Sequence, residues 1–241
     1  MQRLLLLIPF FLWLLVPVPA SGGWARLAWD HCRADSGTAD RTFDCSTNSG
    51  TETIVGSFEL WQDLSHVVSV NARLWLVTNE RYSNIPDWWQ VYSGGCRAGG
   101  LTALSDPSLI SGSVCVNAWL PVSANTHTTE SLACYEYDEV GTYIVDVACT
   151  PSVALEHGVE YLAFALVLSH AKSVGEGACA GCGQTMVMGT AWINVQQEDG
   201  TYELCGPSSV DGFDEASSVL WQPPSVGARA PTWGAIKSLY R

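Results

Sequence analysis

The stretch HVVSVNARLWLVT, residues 66–78, alternates apolar and polar side chains over nearly its whole length. Successive side chains of an extended strand point to opposite faces, so the stretch predicts a half-buried β-strand. A strand with one apolar face needs a second layer to cover it. The apolar face would carry Val68, Val70, Ala72, Leu74 and Leu76, and the polar face Ser69, Asn71, Arg73 and Trp75.

Shorter stretches of the same kind recur along the chain, and helical periodicity is scarce. Turn-forming residues separate them, as in QEDGT (197–201), where Asp199-Gly200 predicts a hairpin. This rhythm favours an all-β fold, a disulfide-stapled antiparallel β-sandwich of jelly-roll or immunoglobulin-like type. The further strands are expected at 53–60, 113–120, 131–137, 142–150, 159–169, 185–195, 201–205 and 216–222.

The chain ends predict three segments. Residues 1–20 have the layout of a secretory signal peptide, with Arg3, an apolar run and then small residues and prolines. The run is shorter than the ~20 residues that a membrane-spanning helix needs, so cleavage is expected. Residues 21–222 would form the sandwich domain. Residues 223–241 read as a proline-containing linker and a short C-terminal helix. The helix would dock on the sandwich, because isolated short helices are marginal, or serve as a tag for a secretion or anchoring system.

The charge balance excludes one class of partner. Loss of the leader removes Arg3 from the 11 Lys+Arg, which leaves 10 against 24 Asp+Glu and a net charge of −14. Such a surface repels phosphate backbones, so nucleic-acid binding is not expected. Because no later stretch of ~18 uninterrupted apolar residues occurs, no membrane span is expected in the mature chain.

Nine cysteines follow the leader, and in an oxidising compartment most of them should form disulfides. Their spacing favours near-neighbour pairs, because short polar loops separate them. Cys205 is the candidate free or intermolecular thiol. The proposed disulfide cysteines are Cys32 with Cys45, Cys96 with Cys115, Cys134 with Cys149, and also Cys179 and Cys182.

The motif CAGC, Cys179 to Cys182, allows three interpretations. A redox pair needs a helix after its first cysteine to lower the thiol pKa, but a strand pattern follows here. A zinc site would need two more ligands, for which Cys205 and His170 are available. Structural disulfide bonding fits the compartment best. We therefore expect no metal and no cofactor.

The segment NIPDWWQVYSGG contains candidate residues for sugar binding. Aromatic rings stack on sugar rings, and Trp88, Trp89 and Tyr92 lie among polar neighbours. If the segment were a strand, only one of Trp88 and Trp89 could face solvent, and the other would be core. The tryptophans within strand patterns, such as Trp61 and Trp221, are expected to be packing or strand-face residues and not ligands.

Several of these segments together resemble a group of uncharacterised secreted, cysteine-containing β-sandwich proteins of environmental bacteria. That group has no assigned activity, so the resemblance carries over no function. The segments that carry it are LAWDHC (27–32), FDCSTN (43–48), PDWWQVYSGGC (86–96), CAGC (179–182) and PTWGAIKSLYR (231–241).

Motifs for catalysis are sparse: the five histidines show no H-E-x-x-H spacing, and no G-x-S-x-G occurs. The acidic stretch VDGFDEAS reads as a solvated turn in preference to a calcium loop. The expected function is a secreted, non-enzymatic structural or interaction module of the bacterial surface or matrix. Its expected partners are further copies of itself or a surface polysaccharide. The alternatives are a carbohydrate-binding module using exposed tryptophans, and a metal- or thiol-dependent enzyme at CAGC.

Overall fold

The computed structural model describes residues 23–78, 84–105, 115–118, 127–137, 140–206 and 216–223. The expected signal peptide, the C-terminal helix and the acidic stretch at 210–217, apart from its last two residues, lie outside these ranges. The described strands are β1 (Trp24–Trp29), β2 (Asp40–Arg41), β3 (Thr51–Glu59), β4 (Leu64–Thr78), β5 (Leu101–Leu104), β6 (Val116–Asn117), β7 (His127–Tyr137), β8 (Val140–Leu155), β9 (Glu160–Ser169), β10 (Met186–Gln197), β11 (Tyr202–Cys205) and β12 (Ser218–Trp221).

These strands form two sheets that enclose one apolar core. The smaller sheet has the order β1-β3-β9-β5, with β6 beside β9, and the larger has the order β2-β12-β10-β4-β8-β7, with β11 beside β10. Pairing is antiparallel except for β2 with β12 and β6 with β9. The predicted antiparallel β-sandwich is therefore confirmed. Within the described ranges, no helix is long and apolar enough to cross a membrane.

Strand β4 lies at the centre of the larger sheet, between β8 and β10. Val70, Ala72, Leu74 and Leu76 are buried, as the alternation predicts. The prediction is wrong at the start of the strand, where Val67 and not Val68 is buried. The register with β8 shifts between Val67 and Ser69, and a bulge of this kind moves the following side chains to the opposite face.

The strand directions give the sandwich two different ends. The disulfide end contains the loops at 42–50, 84–100 and 170–185, and two disulfides join these loops. The turn end contains the tight connections at 60–63, 156–159 and 198–201. The predicted hairpin lies in the last of these, where Gly200 has a φ of +85° and β10 pairs with β11.

The loop between β1 and β2, residues 30–39, covers part of the outer face of the smaller sheet. Its Cys32 packs against Val55 of β3 and Leu162 of β9, which form a second, smaller apolar cluster. The Glu160 carboxylate fixes the loop, because it accepts hydrogen bonds from the backbone N–H of Arg33 (3.2 Å) and of Ala34 (2.8 Å). The loop is therefore held by a charge-assisted anchor as well as by packing.

A close contact inside the sandwich generates the first testable prediction. A Cβ added to Gly56 would lie 2.2 Å from Cζ of the buried Phe164. We expect Gly56→Ala to lower the free energy of unfolding by about 1–3 kcal/mol, because the packed ring has to move. The measurement is denaturant unfolding of the oxidised protein.

The double variant Gly56→Ala/Phe164→Leu is the matched control for this contact. A smaller side chain at 164 makes room for the methyl group, so the two substitutions should cost less together than the sum of their separate effects. If Gly56→Ala alone had the same free energy of unfolding as wild type, the close packing of Gly56 against Phe164 would be contradicted.

Candidate functional site

The disulfides join distant segments, so the near-neighbour pairing expected from the sequence is wrong. The bonds are Cys32–Cys115, Cys45–Cys182 and Cys96–Cys179, with sequence separations of 83, 137 and 83 residues. Antiparallel strands return remote loops to the same end of the sandwich, and spatial proximity decides the pairing. Each closure is worth about 4.5–5 kcal/mol in the chain-entropy model, and the values do not add because the loops overlap.

The two cysteines of CAGC bond to two different loops. Cys179 forms a disulfide with Cys96 in the loop at 84–100, and Cys182 forms one with Cys45 in the loop at 42–50. Because both sulfurs are in disulfides, neither is a thiolate for catalysis or a zinc ligand. The motif therefore joins three loops at the disulfide end and offers no free sulfur for the thiol or metal chemistry of the enzyme alternative.

The remaining cysteines also differ from expectation. Cys134 lies outside the disulfides, and its backbone is opposite Tyr143, whereas that of Cys149 is opposite Thr128. The proposed Cys134–Cys149 bond would span six residues of strand, about 20 Å. Partial burial raises the pKa of the Cys134 thiol to about 11. Cys205 is fully buried with its sulfur 3.9 Å from the Glu59 carbonyl, so it is not placed to bridge to another chain.

Trp88 and Trp89 are both core residues. They are 0% and 2% exposed, so neither is available for the sugar stacking proposed for them. The alternation rule fails because Asp87–Trp89 is a 3₁₀ turn and not a strand. Trp88 stacks on Trp221 with 5.3 Å between ring centroids, and its indole N–H donates to Ser173 Oγ.

Tyr92, the third residue proposed for sugar binding, is half-buried in the same loop as Cys96. Since Trp88 and Trp89 are buried, they leave this segment without the exposed indole that sugar stacking requires. The carbohydrate-binding alternative therefore has no support at the residues first proposed for it.

A buried arginine lies against this aromatic cluster. The Arg97 guanidinium is centred 3.6 Å from the Trp88 ring centroid and donates hydrogen bonds to the backbone carbonyls of Trp88 and Ser169. Arg97 is only 2% exposed, and its burial lowers its pKa to about 10. The ring face and the carbonyls replace part of its lost hydration. This cation therefore holds the loop at 84–100 against β9.

A row of ionisable groups extends along the disulfide end. Arg41 contacts Asp30 at 2.8 Å and also binds the buried carboxylate of Glu52. Nε2 of His170 lies 3.1 Å from the same carboxylate, while its Nδ1 lies 2.8 Å from the Ser49 carbonyl. Since a carbonyl only accepts, Nδ1 carries a proton.

This placement also corrects the proposed zinc ligands. His170 is at the disulfide end, whereas Cys205 lies beside Glu59 near the turn end, so the two residues do not share a site. In the part of the chain that the structure describes, no group of three or more His, Cys, Asp or Glu side chains is placed to hold a metal ion.

The turn end carries an aromatic residue that the sequence assigned to packing or to a strand face, and not to ligand binding. Trp61 is 58% exposed, and its ring lies 6.1 Å from that of Trp24. The signal was present in TIVGSFELW, where Phe58 and Leu60 face the core and Trp61 follows Glu59 on the outer face. The pair Trp24–Trp61, together with Arg26 and Glu59 beside it, is called the outer aromatic site below.

Comparison with known proteins adds little. None of the protein-family models matches the chain, and no curated protein matches it. Among solved structures the chain is similar to a cohesin module from Clostridium perfringens ATCC13124 family 33 glycoside hydrolase, at 11% sequence identity and a TM-score of 0.39. The match covers 83% of this chain and 96% of that chain. Similarity at this level is too low to transfer any property of that module.

The CAGC loop yields a second prediction. Gly181 has a φ of +97°, and an added Cβ would lie 2.4 Å from Cβ of Pro86. We expect Gly181→Ala to cost about 2 kcal/mol or more, because both the backbone conformation and the contact resist a side chain. Gly183→Ala is the matched control: its Cβ meets nothing within 4 Å, so a change within about 0.5 kcal/mol is expected. Equal losses in denaturant unfolding would contradict this account.

An exposed ion pair at the turn end gives a pH prediction. The hydrogen bond to Asp63 raises the pKa of His157 above 6.5, and the hydrogen bonds from His157 lower the pKa of Asp63 below 3.8. The contribution of His157 to the stability of the folded state is fully present below pH 6.5 and is lost as pH rises through its raised pKa. The contribution of the Asp63 carboxylate is present above pH 3.8 and is lost as pH falls through its lowered pKa.

Both contributions coexist between these two values, so Asp63→Asn should lower the melting temperature most near pH 5 and less near about pH 8. Solvent screening keeps the effect small. Gln62→Ala, on the same turn, is the control without a titrating group. The same difference from wild type at both pH values would show that the ion pair contributes nothing.

Proposed function

We propose that this chain is a secreted, disulfide-reinforced interaction module of the bacterial cell surface or extracellular matrix that acts without catalysis. The observation that carries the proposal is the set of three disulfides between segments at least 83 residues apart. Bonds of this kind persist in oxidising compartments and are rare in the reducing cytosol. The leader-like sequence at 1–20 supports the same compartment.

An interaction role fits how the reactive groups are used. The CAGC sulfurs are both bonded, and the most deeply buried charges, Arg97 and Glu52, are engaged in contacts that hold loops together. A stiffened scaffold of this kind presents its outer faces and turns for recognition. The proposed partners are further copies of the chain or a surface polysaccharide.

The experiment compares residues 1–241 with residues 21–241 in a bacterial host that has a general secretion pathway. We expect the longer chain to leave the cytoplasm, lose its leader and give the three cross-linked peptides in non-reducing peptide mapping. The shorter chain is the control and should stay in the cytosol with reduced thiols. Retention of the longer chain in the cytosol, with all six disulfide-forming cysteines reduced and open to alkylation, would contradict the proposed secretion into an oxidising compartment.

The interaction itself is tested on the purified, oxidised protein. We expect either self-association in light scattering or co-sedimentation with isolated cell-surface polysaccharide. A protein that is monomeric at every concentration and stays in the supernatant with every polysaccharide would contradict an interaction role, whatever its compartment.

A further inference from the structure

The outer aromatic site exposes a large apolar ring on a rigid base. Trp61 is 58% exposed, and the Trp24 ring lies 6.1 Å from it at an interplanar angle of 43°. The two rings therefore form a shallow, angled platform. Exposed indoles on fixed backbone are enriched where proteins recognise a partner, because they offer a large contact area with few rotatable bonds.

Hydrogen bonds hold the turn on both sides of Trp61. The Leu60 carbonyl accepts the N–H of Gly158 at 3.1 Å. Two residues beyond Trp61, one carboxylate oxygen of Asp63 lies 2.8 Å from the backbone N of His157 and 2.7 Å from its Nδ1. The neighbours of the exposed ring are thus fixed before any ligand arrives, which lowers the entropy lost on binding.

Polar groups border the platform on the same outer face. Nη2 of Arg26 donates to Oε2 of Glu59 at 3.0 Å, and the two side chains are 23% and 28% exposed. Both retain hydrogen-bonding capacity beyond this pair, since a guanidinium has five N–H donors and a carboxylate about four acceptor positions. The carboxylate of Asp63 and the amide of Gln62 lie exposed on the turn.

This combination matches the chemistry of a sugar ring. A pyranose has an apolar C–H face, which packs on the electron-rich face of an indole, and a rim of hydroxyls that both donate and accept hydrogen bonds. The net charge of −13 and the nearby carboxylates repel anionic polymers, so the complementary ligand is neutral.

We propose that Trp61 and Trp24, with Arg26 and Glu59 beside them, bind the pyranose rings of a neutral polysaccharide. The proposal rests on the function proposed above, that of a secreted interaction module, and names the class of its partner. Trp61 supplies the stacking face, Trp24 the flank, and the Arg26–Glu59 pair the hydrogen bonds to hydroxyl groups.

The test measures retention of the oxidised protein in native gels that contain a neutral glucan, mannan or galactan, and its co-sedimentation with cellulose and chitin. We expect wild type to bind at least one of these polymers, and Trp61→Ala to weaken that binding about tenfold or more, as loss of a central aromatic anchor does. Trp61→Phe should keep part of the affinity. Alginate, an anionic polysaccharide, should not bind.

Tyr202→Ala is the matched control, because Tyr202 is 64% exposed and lies on β11 of the other sheet. It should bind like wild type, and the melting temperatures of both variants should stay near the wild-type value. Wild-type binding by Trp61→Ala, or binding of none of the neutral polymers by wild type, would overturn the proposal.

The outcomes separate this site from the broader function. If the chain is secreted and self-associates but ignores every neutral glycan, the glycan site fails and the interaction module stands. If Trp61→Ala abolishes self-association in place of glycan retention, the outer aromatic site is a protein interface and the glycan proposal is wrong. A reduced, cytosolic chain contradicts the module itself.

Discussion

The stacking of Trp88 on Trp221 is the interaction on which the disulfide end depends. These two large rings are completely or almost completely buried, and a buried indole N–H is usually hydrogen-bonded. The Trp221 indole donates to the Cys182 carbonyl at 2.7 Å, and the backbone N–H of Trp88 donates to the Ala180 carbonyl. The CAGC loop therefore supplies the polar partners of the aromatic core. Its disulfides hold those carbonyls in place, so the motif is better understood as the cover of a core than as a reactive centre.

Four of the six basic residues that the structure describes make side-chain contacts within the fold. Arg26 and Arg41 each contact two carboxylates, and Arg97 is buried against Trp88. Lys172 donates to the Cys96 carbonyl at 2.7 Å. With 11 Lys+Arg against 24 Asp+Glu, such internal use leaves the acidic surplus facing solvent. The surface field of the module thus favours neutral or cationic partners over anionic ones.

Alternating patterns and apolar runs predicted the long strands well: β4 buries mainly one face, and β9 is buried on both faces. β4, β9 and β10 fall close to their expected ranges. The sequence did not reveal β1, where Leu27 and Ala28 are both buried because the loop carrying Cys32 covers the outer face. Strands as short as β2 or β5 contain too few residues to show a period.

The candidate sites were harder to predict than the strands, for two physical reasons. Disulfide pairing depends on which loops meet at one end of the sandwich, and this is a property of topology that spacing does not encode. The face of a tryptophan depends on local backbone: a 3₁₀ turn buries both Trp88 and Trp89, whereas Trp61, in the bend that follows β3, is exposed. Period-two alternation, continued one step beyond the predicted strand at 53–60, would have identified that residue.

The two ends of the sandwich make different uses of the same residue type. At the disulfide end, tryptophans fill the core and cross-linked loops enclose them. At the turn end, Leu60 and Leu64 are buried, whereas Trp61 between them is 58% exposed and its ring lies 6.1 Å from that of Trp24. Tight hydrogen bonds nevertheless hold that turn in one conformation. An exposed ring beside hydrogen-bonded backbone is the arrangement that the proposed recognition surface requires. Tryptophans thus serve packing at the disulfide end, whereas at the turn end an exposed tryptophan is the basis of the proposed glycan site.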